Sequence, residues 1–170
     1  MRFAYYDSLS AASKRTYRKS DAITRIEIPE VASLVQLALA VEPALAAADR
    51  VAVQRACQVL VDALNARLAT PPIQVGVLER RPSNAEGELQ GLYEPDEVTA
   101  GMARISVWMR TARKEKVVRF RTFLRTLVHE FCHHLDYELY KLAETLHTHG
   151  FYTRESALMR ELLGESVDAR

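Results

Sequence analysis

Val117-Val118-Arg119-Phe120-Arg121-Thr122-Phe123-Leu124-Arg125-Thr126-Leu127-Val128-His129-Glu130-Phe131-Cys132-His133-His134-Leu135 is the stretch on which the reading of this chain turns. Val117, Phe120, Phe123, Leu124, Leu127, Val128, Phe131 and Leu135 recur at three- and four-residue spacing. That period predicts one long amphipathic helix from Lys116 to about Tyr140. His129 and His133 then fall at i and i+4, one turn apart on one face, so both imidazoles can reach a single metal ion. Both border the buried stripe, which puts such an ion on the floor of a cleft. Glu130 is offset around the helix. It cannot easily share the coordination sphere, but it can reach a water beside the metal.

Two nitrogen ligands, one general base and an open position for water form the HExxH arrangement of zinc hydrolases. A third protein ligand is then required. Asp136 and Leu139 occupy the positions where a metzincin needs glycine and a ligand, which excludes that pattern. Three residues remain eligible: Glu155 on the following helix, His149 in His147-Thr148-His149-Gly150-Phe151-Tyr152, and His147 in its place. Asp136 and Glu144 read as solvated helix residues, His134 as a surface or supporting histidine, and Cys132 as pointing elsewhere on the helix.

Working outward, the surroundings predict an α+β chain of 170 residues. Residues 1–28 read as a polar, aromatic-spiked arm that packs onto the domain or frays, and residues 29–170 as one domain. A helical pattern from Pro29 runs through Val31, Leu34, Val35, Ala38 and Val41 until Pro43 stops it. Asp49 is the N-cap of a second helix, with Val53, Cys57, Leu60, Val61 and Leu64 on its buried side and Pro71-Pro72 at its end. Cys57 on that stripe reads as a small core residue. Alternation then predicts a small three-stranded sheet from residues 73–79, 89–93 and 103–110, separated by turn-rich pieces. A final helix is expected from near Thr153.

An apolar share of 48% against 26% charged is the balance of a soluble globular protein rather than a disordered one. A net charge of +1 excludes a wholly basic nucleic-acid coat. Cys57 and Cys132 are too few for a disulfide framework, which points to a reducing compartment. MRFAYYDSLSAASKR has no continuous apolar core of a signal peptide, and the run from Val31 to Ala48 is broken by Gln36, Glu42 and Pro43. The expected location is cytoplasmic, with no membrane partner.

Taken with the strand Arg104–Arg110 ahead of the helix and a His-Gly followed by aromatics after it, the HExxH motif resembles the SprT-like zincins, whose Spartan-type members cleave DNA–protein crosslinks. The likeness covers roughly residues 73–162. It implies a zincin-like fold and one zinc ion held by His129, His133 and His149, with Glu130 as general base, acting on a peptide or protein substrate. In zincins the strand before the active helix borders the cleft and pairs with extended substrate, which draws attention to Trp108. The family's aromatic usually lies three residues after the distal histidine, whereas Phe151 and Tyr152 follow Gly150 directly here. Two distant cysteines cannot build the zinc ribbon that some members carry. The resemblance also lends weight to the basic segment 104–125, in which Arg104, Arg110, Arg113, Lys114, Lys116, Arg119, Arg121 and Arg125 face one acid, Glu115. Such a block can track a phosphate backbone or serve as a solvated face. Tyr152 and Arg154 are further candidates, for stabilising an oxyanion. The rival from another class is a non-catalytic, metal-stabilised module that binds nucleic acid through residues 104–125.

Overall fold

A computed structural model describes residues 3–84, 87–99 and 101–165. A 3-10 turn over Ala4–Ser8 leads into α1 (Ala11–Ala22), and a second over Val31–Leu34 leads into α2 (Val35–Leu39), α3 (Val41–Ala46) and α4 (Arg50–Leu68). The strands are β1 (Gln74–Arg80), β2 (Ser83–Asn84), β3 (Gly87–Glu88) and β4 (Gly91–Glu94); the short α5 (Asp96–Thr99) then precedes β5 (Arg104–Arg110). Two long elements close the described chain, α6 (Phe120–Glu138) and α7 (His149–Leu162). It is a mixed α/β chain around a small three-stranded sheet, and no helix is long and apolar enough to cross a membrane among the described residues.

Pro43 does not end the first helical run. It lies in the first turn of α3, where its missing N–H would have had no helical partner in any case. Asp49 does cap α4, accepting from the Ala52 N–H at 3.0 Å. That helix stops before the two prolines, at Ala69 in the left-handed region with φ 52°. Residues 116–119 are not helical: Val118 donates to the Met109 carbonyl at 2.7 Å, so α6 starts only at Phe120. α7 starts four residues earlier than expected, because the Thr148 hydroxyl accepts from the Phe151 N–H at 3.0 Å and caps it.

The sheet runs β1-β5-β4, with β1 parallel to β5 and β4 antiparallel to it. β5 is therefore the middle strand. Both its edges are paired, so it cannot itself pair with a substrate, and Trp108 is a buried residue within it. The strand at the free edge near α6 is β4. At the opposite edge, α4 seals β1 with side chains. Gln58 and Gln54 accept from the N–H groups of Val75 and Val77 at 2.8 and 3.0 Å, and Gln58 donates to the Ile73 carbonyl at 2.9 Å. One core of Val53, Leu60, Val75, Val77, Ile105, Val107, Leu124, Phe131, Leu158 and their neighbours joins α4, the sheet, α6 and α7.

Residues 3–28 pack onto this core. Tyr17 is fully buried, and Ile26 joins the main cluster. The end of α1 meets the start of α7 so closely that a Cβ at Gly150 would run into the main-chain oxygens of Asp21 and Ser20. The Gly150 N–H donates to Asp21 Oδ1 there, at 3.0 Å. Gly150→Ala is expected to cost about 2 kcal/mol, since neither main chain can yield without losing hydrogen bonds; urea unfolding measures it.

Candidate metal centre

All five histidines of the chain fall between residues 129 and 149. Three of them converge. His129 and His133 project from α6, and His147 reaches them from the connection between α6 and α7. The three Nε2 atoms form a triangle with sides of 3.0 Å (His129–His147), 3.2 Å (His129–His133) and 3.2 Å (His133–His147). Tetrahedral ligands at about 2.0–2.1 Å from a zinc ion stand about 3.3–3.4 Å apart, so the spacing is close to that of a zinc site.

The third imidazole is thus His147, not His149, and the expectation based on His-Gly is corrected in its geometry. Thr148 caps α7, so His149 is already the first helical residue and is exposed, outside the cluster. His147, one residue before the cap, keeps the freedom of a loop. Glu155, the other contender, lies behind the cluster instead of in it.

Hydrogen bonding fixes the chemistry of the triangle. His129 Nδ1 lies 2.9 Å from Glu155 Oε2, while Glu155 Oε1 accepts from Arg125 at 2.9 Å. A carboxylate paired with arginine accepts, so Nδ1 of His129 carries the proton and its Nε2 presents a lone pair. His133 Nδ1 lies 2.6 Å from the Thr145 hydroxyl, whose single hydrogen goes to Asp136 Oδ2 at 2.8 Å. His133 Nδ1 must therefore donate, and its Nε2 is bare as well. Two lone pairs then face each other at 3.2 Å. A third nitrogen cannot satisfy both partners of a triangle and leave no repulsive side. A cation at the centre can, and three imidazoles backed by a carboxylate and a hydroxyl are a donor set suited to zinc. Burial, then the neighbouring His129 and His147, holds the His133 pKa down at about 3, and His147 is likewise lowered, first by burial. Both are therefore unprotonated at neutral pH and ready to ligate.

Behind this shell lies a buried ion pair. Asp136, expected to be solvated, is fully buried, and its other oxygen accepts from the equally buried Arg154. Burial raises the Asp136 pKa against the pull of that guanidinium. Arg154 also donates to the main-chain oxygens of Ser20 and Ile23 at 3.0 and 3.1 Å. It is a strut between α7, α6 and the end of α1, which removes it as an oxyanion donor.

Glu130 stands beside the triangle and is only 7% exposed. A Cβ at Gly91 would collide with its carboxylate and with the Thr126 methyl, so only glycine lets β4 lie this close to α6. The Tyr93 N–H on β4 donates to Glu130. Burial pushes the Glu130 carboxyl up to about 7, with Glu155 adding to the rise and His129 and the Tyr93 N–H opposing it. Clefts of about 500 and 320 Å³ flank the triangle. The larger is lined by Gln90, Thr122, Arg125, Thr126 and Tyr152 along the first half of α6; the smaller by Leu92, Tyr93 and Thr145. Gly91, His129, Glu130 and His147 border both. Tyr152, 40% exposed, stacks on His147 with ring centres 5.6 Å apart.

The remaining candidates take structural places. His134 is buried, bridging the Pro71 carbonyl at 3.1 Å and the Tyr93 hydroxyl at 3.4 Å. Cys132 is fully buried in the core cluster. Within the basic segment, Arg104 donates to Gln74, Arg110 pairs with Glu79, Arg121 with Glu165 and Arg125 with Glu155. Compared with known proteins, the chain matches no family model, no curated protein and no solved structure.

Two outcomes are expected. His129→Ala, His133→Ala and His147→Ala should each weaken zinc binding enough to lose the ion on gel filtration, read by elemental analysis, with a weak affinity still measurable by titration, while His149→Ala should retain one zinc. In metal-free protein, a carboxyl raised from 4.5 to about 7 stabilises the fold below 4.5 and loses that contribution as pH rises through 7. The melting temperature of Glu130→Gln relative to wild type should therefore climb between those pH values, by roughly 5 °C in a chelator-treated scan. A difference independent of pH would contradict a buried, strained carboxylate.

Proposed function

We propose that this chain is a zinc-dependent metallopeptidase of SprT-like zincin type, hydrolysing a peptide bond in a peptide or protein substrate. The observation that carries the reading is the triangle of imidazole nitrogens with the Glu130 carboxylate held beside it in an open cleft. A purely structural zinc site closes with a fourth protein ligand and needs no base. Here three nitrogens converge, and Glu130 lines both clefts beside them. The likeness to SprT-like zincins extends to His129, Glu130 and His133, while the third imidazole comes from two residues before the histidine that the family pattern would use.

Zinc bound by His129, His133 and His147 would supply Lewis acidity and lower the pKa of a water in the cleft toward neutrality. The chain's own residues do the rest. Glu130, a carboxylate beside the triangle, would take a proton from that water and give it to the leaving amine. The Tyr93 N–H donates to that carboxylate and holds it against β4. β4, at the sheet edge and bordering both clefts, is the strand along which an extended peptide would lie. The Tyr152 hydroxyl, on a ring packed against His147, is the donor available to a developing oxyanion. Nucleic acid as a partner has weaker support, because half of the basic side chains in residues 104–125 are engaged by the chain's own carboxylates and amides.

Glu130→Gln should keep one zinc and the fold but lose hydrolysis of an unfolded protein substrate such as casein by at least about a hundredfold, because an amide cannot accept the proton. Turnover at the wild-type rate by a zinc-loaded Glu130→Gln protein would end the peptidase reading.

A further inference from the structure

We propose that the amino-terminal segment is a working part of the metal centre, with Tyr5 as the residue that positions His147. This inference rests on the histidine triangle being a metal site, and it does not require that the protein be a peptidase. Of the three imidazoles, two are fixed by α6 itself, one turn apart. His147 has no such frame. It stands in the connection between α6 and α7, where regular backbone hydrogen bonding has ended and Lys141 turns the chain with φ 50°. Something outside that connection must hold it.

The amino-terminal segment supplies the hold. The Tyr5 hydroxyl donates to the His147 carbonyl at 2.6 Å, across 142 residues of chain. Around that bond runs a closed circuit of rings. Tyr5 stacks on Phe3 with centres 6.1 Å apart; Phe3 meets Tyr152 edge-on at 5.9 Å; and Tyr152 stacks on the His147 imidazole at 5.6 Å. His147 is thus gripped by its main chain from Tyr5 and by its ring from Tyr152, and Phe3 joins the two grips. The circuit is anchored inward by Tyr17, fully buried, whose ring meets Tyr5 at 5.9 Å and whose hydroxyl accepts from the Phe3 N–H at 3.3 Å.

A second thread ties the residue next to His147 to the same segment. The Thr148 hydroxyl, which caps α7, lies 3.2 Å from the Ser20 hydroxyl, and the Gly150 N–H is taken by Asp21. His147 and two residues that follow it closely at the start of α7, Thr148 and Gly150, are therefore all fastened to residues 3–28. A ligand fastened before the ion arrives loses less conformational freedom on binding, so the fastening appears as metal affinity.

The test uses the full chain and zinc alone. Tyr5→Phe removes one hydroxyl and keeps the ring circuit. Zinc dissociation constants, measured by competition with a chromophoric chelator, are expected to weaken about tenfold, the lower end of what loss of an outer-shell partner costs. The visible spectrum of the cobalt-substituted protein should change as the third nitrogen loosens, while the melting temperature of the metal-free protein stays within about a degree of wild type. Phe3→Ala, which breaks the circuit elsewhere, should shift zinc affinity in the same direction. The deciding measurement is a double-mutant cycle: in a His147→Ala background, Tyr5→Phe should change residual zinc affinity by less than about twofold. Two results would overturn the proposal: zinc affinity of Tyr5→Phe within twofold of wild type, or an equal loss with and without His147. A wild-type chain that binds no zinc would remove the metal site itself, whereas zinc binding without hydrolysis would leave this inference standing and remove only the peptidase reading.

Discussion

Two acceptor nitrogens 3.2 Å apart, with a third imidazole nitrogen within 3.2 Å of both, repel unless something positive stands between them, and the side chains behind them keep them there. Neutral imidazoles would relieve the conflict by turning a ring or taking up protons. Here the Nδ1 partners prevent turning, since Glu155 and Thr145 hold the rings of His129 and His133, and burial resists protonation of His133. The conflict costs a few kcal/mol at most, against an apparent zinc-binding free energy of about 10–16 kcal/mol in structural sites. A frustrated apo cluster is thus the expected form of a site whose geometry is set in advance by its second layer.

That second layer ends in Arg154 and Asp136, a pair with no exposure on either side chain. Buried pairs contribute little net stability compared with apolar residues of the same volume, but breaking one leaves an unpaired buried charge and is severe. What this pair does is join three elements. Asp136 belongs to α6 and reaches Thr145 and through it His133; Arg154 belongs to α7 and holds the last carbonyls of α1. A shift of α1 relative to α6 would therefore be felt at His133, by a route separate from Tyr5.

How much of this could be read beforehand follows from which residues sit in periodic structure. His129, Glu130 and His133 were legible because a helix converts spacing into direction, and α4 with its Asp49 cap and the three strands were legible for the same reason. The third imidazole was not, because spacing in a loop fixes nothing. The available signal was Thr148, a good N-cap directly before His149; reading it as one would have moved the start of α7 from Thr153 to His149 and left His147 as the loop histidine. Asp136 misled because a charged residue on a helix is usually solvated, and its partner lies 18 residues further on. The order of the strands was hidden as well. β5 is the last strand before α6 in sequence, yet β4 is the one beside the cleft, since β5 is inserted between β1 and β4.

The two edges of the sheet make the same functional point from opposite directions. A free edge is a hazard, and this chain covers one of its two edges at some expense. Gln54, Gln58 and Arg50 interrupt the apolar character of α4 to satisfy Val75, Val77 and Ile73 of the β1 side, doing with side chains what another strand would do with its backbone. Beside β4 the contacts come from α6 instead: the Tyr93 N–H donates to Glu130, and the Tyr93 hydroxyl lies 3.4 Å from His134 Nδ1. β4 is only four residues long and starts at a glycine that α6 forbids to be anything larger. Its shortness limits pairing with another sheet, while its position leaves main-chain groups at the rim of both clefts. The chain thus covers the β1 edge with side chains of α4 and leaves β4 as the edge strand beside Glu130 and the histidine triangle.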